Sequence, residues 1–138
     1  MPDGSVLTGG GGAPGPVFNL NAETYYPPYL YKNDGSGKPA KRPVIDTAPA
    51  ALGWGQAFTV KMADSKPVAR VTLIRTGVAT HAFNNEQRFR EMSFTQVGAK
   101  LKLNSPATKL DAPPGTYLLF ALNAEGVPSV AKTIRLAD

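Results

Sequence analysis

One histidine and no cysteine occur in 138 residues, and the histidine, His81, lies in the polar stretch Arg75-Thr-Gly-Val-Ala-Thr-His-Ala-Phe-Asn-Asn-Glu-Gln-Arg88. Imidazole both titrates near neutral pH and ligates borderline metals. Amide and acid side chains that could orient it, Asn84, Asn85, Glu86 and Gln87, follow closely in sequence. Zinc and copper centres take three or four ligands of His, Cys or carboxylate type. A metal held by His81 would therefore draw its other N and S donors from outside this chain. A lone loop histidine is more commonly a plain surface residue, and that reading stands beside the metal one. The absence of cysteine excludes disulfides and thiol catalysis and leaves the redox compartment open.

The elements that must carry this stretch are strands. From Arg42 onward, short runs alternate apolar and polar residues, with turn residues every ~8 to 15 positions, the signal of an all-β sandwich. Phe58, Val60 and Met62 alternate with Thr59 and Lys61; Ala69, Val71 and Leu73 alternate with Arg70 and Thr72. Each such run has one wet and one dry face. Met92 and Phe94, then Leu101 and Leu103 between lysines, repeat the pattern. Tyr117-Leu-Leu-Phe-Ala-Leu122 is apolar throughout, as for a central strand covered on both sides, and Ile134 and Leu136 are expected to close the sheet. Thirteen prolines and fourteen glycines leave no 3.6-residue stripe over three turns, so helix is expected to be nearly absent. Arg75 to Arg88 reads as a loop between two strands. Trp54 is expected to anchor a loop; the alternative is a sugar-stacking platform.

The first 41 residues read differently. Asp3-Gly4 is a tight turn and Ser5 to Thr8 a short strand, followed by Gly9 to Gly12 and Ala13-Pro-Gly-Pro16. The four glycines serve either a close backbone approach or a flexible linker. With little to pack, Met1 to Pro16 is expected to be mobile or to pair opportunistically. Ala22 to Tyr31 holds four tyrosines around Pro27-Pro28 and predicts an extended or edge segment with rings packed on a neighbouring surface. A polar loop, Lys32 to Lys38, follows.

Length and 42% hydrophobic composition suit one main domain with a proper core. The formal charge of +5 is spread singly from Lys32 to Arg135, without a basic run or a stacking-aromatic pattern, which argues against a nucleic-acid partner. No apolar run approaches the ~20 residues that span a bilayer, and the start has no signal-peptide pattern, so no membrane partner is expected.

Three separated segments resemble the C-terminal part of the copper-radical oxidases, galactose oxidase and the glyoxal oxidases. They are Pro2-Asp-Gly-Ser-Val-Leu-Thr-Gly-Gly-Gly-Gly12 with Tyr26-Pro-Pro-Tyr-Leu-Tyr31; Arg75 to Arg88; and Gly115-Thr-Tyr-Leu-Leu-Phe-Ala-Leu-Asn-Ala-Glu-Gly-Val-Pro-Ser129. Their order and spacing fit as well. The resemblance implies an immunoglobulin-like early set sandwich of about seven strands over residues 42–138. It implies that residues 1–41 are an extended Gly/Pro/Tyr-rich leader, the tail of the last blade of a seven-bladed kelch propeller plus a linker. It makes His81 a copper ligand, with Thr80, Asn84, Gln87 and Arg88 as neighbours holding its loop, which reaches into the propeller axis.

In that family the other ligands, two tyrosines and a histidine, and the cysteine crosslinked to one tyrosine, lie upstream of this segment. The resemblance thus implies a chain that is not catalytic alone and is expected to be monomeric, without tightly bound copper. The complete protein would be a secreted alcohol or aldehyde oxidase producing hydrogen peroxide. No radical role passes to Tyr25, Tyr26, Tyr29 or Tyr31. The alternative is an independent immunoglobulin-like module binding protein or carbohydrate without metal.

Overall fold

The computed structural model describes residues 1–12 and 15–137; Ala13 and Pro14 of the glycine-rich leader and Asp138 lie outside them. In chain order the strands are β1 (Val6–Gly9), β2 (Ala22–Tyr25), β3 (Ile45–Thr47), β4 (Ala51–Leu52), β5 (Ala57–Met62), β6 (Arg70–Arg75), β7 (Val78–Thr80), β8 (Phe83–Asn85), β9 (Phe89–Glu91), β10 (Phe94–Val97), β11 (Lys100–Asn104), β12 (Gly115–Leu122) and β13 (Lys132–Leu136). One 3-10 turn, Pro28–Leu30, is the only helical element among the described residues.

Alternation decides the architecture. β5 buries Phe58, Val60 and Met62 and leaves Ala57, Thr59 and Lys61 in water. β11 buries Leu101 and Leu103, and antiparallel register sets Leu101 opposite Val60 and Leu103 opposite Phe58. With β10 and β3 these form a four-stranded sheet in the order β10-β11-β5-β3. A five-stranded sheet, β4-β13-β12-β6-β9, packs against it. It contributes Val71 and Leu73 from β6, Tyr117, Leu119 and Ala121 from β12, and Ile134 and Leu136 from β13 to one shared core. The period-2 runs thus form the two-sheet all-β sandwich that they predict, consistent with the immunoglobulin-like fold that the resemblance implies. Nine strands share it because β3 and β4, three and two residues long, are too short to show alternation.

Three features differ from the expectations. β13 does not close its sheet: β4 pairs parallel to its outer side, Ala51 against Arg135 and Leu52 against Leu136. Thr72, predicted on a wet face, is buried, because the leader and Pro128 cover part of the outer face of the five-stranded sheet; Phe120 beside it is buried as expected of a central strand covered on both sides. Nor is the leader without contacts. Asp3 Oδ1 accepts from the Ser5 amide (2.9 Å) and hydroxyl (2.6 Å), closing the expected turn. Ala131 N donates to Pro2 O at 2.8 Å and Tyr29 Oη to Gly4 O at 2.6 Å. Arg42 then clamps Pro128 O and Ser129 O at 2.7 and 2.6 Å. β1 pairs antiparallel with β2, Val6 opposite Tyr25 to Gly9 opposite Ala22. Tyr25, Tyr26 and Tyr29 remain about half exposed rather than packed away, because β2 is half of a two-stranded ribbon that no other described strand covers.

A candidate metal-ligand hairpin

The stretch expected to be a loop is a β-hairpin. β7 and β8 pair as Val78–Asn85, Ala79–Asn84 and Thr80–Phe83, leaving His81-Ala82 as a two-residue turn. Its physical basis is short range: β-branched Val78 and Thr80 and aromatic Phe83 suit strands. His81 has φ +53°, a positive φ at the first turn position, where the tight hairpin turn of type II′ has glycine by preference. The only other non-glycine residue with positive φ among those described is Glu86 (φ +63°), one residue beyond β8. Each such conformation costs an L-residue roughly 1–2 kcal/mol. Both are concentrated in this hairpin.

The candidate residues take the following places. Thr80 Oγ1 lies 3.1 Å from His81 Nδ1, which leaves Nε2 without a hydrogen-bond partner among the described residues. Gln87 Nε2 donates to Asn84 O at 3.0 Å, tying the residues after β8 back to it. The Asn84 carboxamide lies across Gly77, where any Cβ would overlap it. Arg88 acts through its backbone carbonyl, which accepts from Arg75 N at 2.9 Å. His81 is exposed, and so are the apolar side chains beside it, Phe83 at 73% and Val78 at 51%. Among the described residues no three His, Cys, Asp or Glu side chains converge to hold a metal ion. The fit to copper is therefore that of one open imidazole at a projecting hairpin tip, a single donor where a copper centre needs a larger set.

Below the hairpin the sandwich edge is firmly built. Arg75 Nη2 reaches Glu86 Oε2 at 2.8 Å and Pro114 O at 2.9 Å. Tyr117 Oη donates to Pro113 O at 2.7 Å. Burial pushes the Tyr117 phenol up from its ordinary range, against the pull of Arg75 and Arg88 nearby, so it stays a donor.

Comparison with known proteins adds the decisive observation. The family model described as galactose oxidase-like, early set domain matches residues 42–136. The chain belongs to the galactose oxidase-like early set family. This early set chain is 36% identical over 142 positions to galactose oxidase of Gibberella zeae, covering 100% of itself and 20% of that protein. It is 33% identical over 153 positions to the aldehyde oxidase GLOX of Vitis pseudoreticulata, covering 99% of itself and 28% of that protein. A solved structure of a fungal AA5-family alcohol oxidase in complex with copper superposes with a TM-score of 0.89 at 33% identity, over 100% of this chain and 30% of that one. The early set chain thus spans between a fifth and a third of the length of these relatives.

Arg75, Gly77 and Gly115 escaped the sequence reading as supports of the hairpin. A signal existed for Arg75: it continues the inward parity of Val71 and Leu73, where a charge is out of place. Gly77 and Gly115 gave none, since their role is to leave room for Asn84 and Arg75. Trp54 is half-buried, donates Nε1–H to Ala112 O at 2.8 Å and carries the Lys109 ammonium 5.2 Å from its ring centroid. That suits a ring pinned to the core edge. No helix of the described residues is long and apolar enough to cross a membrane.

Proposed function

We propose that this chain is the C-terminal module of a secreted copper-radical oxidase and that its task is to deliver His81 as one copper ligand to a centre completed elsewhere in the protein. Residues 42–138 are the early set sandwich. Residues 1–41 are the closing strands of a kelch propeller blade and the linker from it. The observation that carries the reading is an exposed imidazole at a hairpin tip, held in a conformation that favours glycine, with Nε2 free. Strain kept at one exposed tip signals a functional constraint on the residue there.

Other features support the same reading. Phe83 and Val78 flank the tip as exposed apolar surface, as a hairpin inserted into another domain would need. Val6, Leu7, Val17, Phe18 and Leu20 of the leader are also 48–96% exposed, as expected of blade strands that lie beside further strands. The relatives' names, galactose oxidase and aldehyde oxidase, and the copper in the related alcohol oxidase point to the chemistry of the whole. Copper, when bound, would supply the two-electron oxidation of an alcohol or aldehyde with reduction of oxygen to hydrogen peroxide. In that centre His81 would bind through Nε2, and the Thr80 hydroxyl, 3.1 Å from Nδ1, would help to hold the rotation of the ring. Phe83 and Val78 exclude water around the tip.

The test is a copper titration of this chain and of the longer protein, each with and without His81→Ala, followed by a peroxide assay. The chain alone is expected to bind Cu(II) weakly and to make no peroxide; the longer protein is expected to bind it stoichiometrically and to lose both properties with His81→Ala. Tight copper in the chain alone, or full oxidase activity in the His81→Ala protein, contradicts the assignment. Loss of neither copper nor activity would favour a metal-free binding module.

A further inference from the structure

We infer that Arg75 is the positioning residue of the His81 hairpin, aiming it through an ion pair that spans a break in the strand ladder. The functional meaning of this inference rests on the copper-ligand reading of His81; its mechanical content rests on geometry alone.

The break is explicit. β6 and β9 pair as far as Ile74 opposite Phe89, and Arg75 N still donates to Arg88 O at 2.9 Å. Pairing resumes only at Val78 opposite Asn85. Between these points Thr76 turns its backbone N–H (3.0 Å) and its hydroxyl (3.1 Å) to Thr116 O on β12, while Glu86 takes a left-handed conformation. The hairpin is thus joined to the sandwich by two short unpaired links. A lone two-stranded hairpin is marginal in water, so its direction depends on whatever crosses the gap.

Arg75 crosses it. Its side chain is 14% exposed, and its Nη2 serves Glu86 Oε2 on the hairpin side (2.8 Å) and Pro114 O on the sandwich side (2.9 Å). The guanidinium has a built seat. A Cβ at Gly115 would stand 3.1 Å from both Nε and Nη2, a contact that would push the guanidinium by a few tenths of an ångström from its seat. The seat is itself held, because Tyr117, paired directly with Arg75, donates its phenol to Pro113 O. The guanidinium's bond to Pro114 O is charge-assisted, and its ion pair to Glu86, made by a side chain only 14% exposed, is less screened than a pair exposed at both ends. Only arginine offers planar donors in this arrangement; lysine would bring a point charge.

The test has two readouts, with Arg75→Met and, because Arg75 is largely buried, the milder Glu86→Gln at an exposed position. First, backbone order parameters of Ala79 to Ala82 in this chain are expected to fall from about 0.85 to below about 0.6 in Arg75→Met, and part of the way in Glu86→Gln. Amide shifts of Leu119 and Leu101 should stay in place. Second, the longer protein is expected to lose about 10–100-fold in copper affinity in Arg75→Met, as for other outer partners of a metal ligand, with a broadened Cu(II) electron paramagnetic resonance spectrum. Unchanged order parameters in both variants overturn the inference. If His81→Ala leaves copper affinity unchanged, the copper reading falls, while the order parameters still decide the positioning role. If His81→Ala abolishes copper and Arg75→Met alters neither readout, this inference alone falls.

Discussion

His81 occupies a turn position where glycine is the less strained choice, and it does so with its ring open to solvent. Replacing it tests whether the strain serves the fold or the site. In this chain His81→Ala should change unfolding free energy by no more than about 0.5 kcal/mol, as for an exposed residue without core contacts. His81→Gly should leave it equal or raise it by up to about 1 kcal/mol, since the positive φ becomes strain-free. Denaturant unfolding measures both; a loss above about 1 kcal/mol in either would make His81 a structural residue. His81 was legible in the sequence because it is the single imidazole among polar neighbours. Arg75 showed only as a charge out of place at an inward position; its role did not show, because the seat of its guanidinium lies against Gly115, forty positions away.

At the scale of elements, the sandwich was readable wherever strands are long enough to alternate, as in β5, β6, β11 and β12. The hairpin was not, because its turn is His81-Ala82 rather than an Asn-Gly pair, while Asn84-Asn85, which look like turn residues, lie inside β8. The parallel pairing of β4 with β13 left no trace in two residues. Two substitutions probe these elements. Leu119→Ala, at a fully buried β12 position, should cost about 2–5 kcal/mol of stability in denaturant unfolding. Gly77→Ala should leave stability within about 1 kcal/mol but push the Asn84 side chain out of its place, which the Asn84 side-chain amide resonances report. Unmoved resonances would mean that Gly77 leaves no needed room.

Acid acts at the junctions between elements. The Ser5 hydroxyl and amide hold the Asp3 carboxyl below its usual range, and Arg70 holds Glu91 likewise, at 2.8–2.9 Å. A carboxylate with a depressed folded pKa adds stability above its unfolded pKa and loses it as pH falls through the folded one. The leader turn and the β6–β9 edge should therefore loosen as pH drops below about 4. Protection factors of the Ser5 amide, bonded to Asp3, and of the Met92 amide, bonded to Val71 O at the β6–β9 edge, are expected to fall there ahead of that of Leu119; equal protection of all three down to about pH 2 would contradict it.

At the scale of the whole molecule, the proposed role makes sandwich and hairpin a platform and a probe, and on that proposal what the probe meets lies in other parts of the longer protein. That is why the site was only partly legible: under the proposal this chain carries a single donor, His81, and the groups that would complete the centre lie outside it. The claim that His81 is a copper ligand is tested most directly by nitrogen superhyperfine structure in the Cu(II) electron paramagnetic resonance spectrum of the longer protein, before and after His81→Ala. The account predicts the loss of one coupled nitrogen together with a large drop in copper affinity. An unchanged nitrogen pattern at unchanged affinity would contradict it.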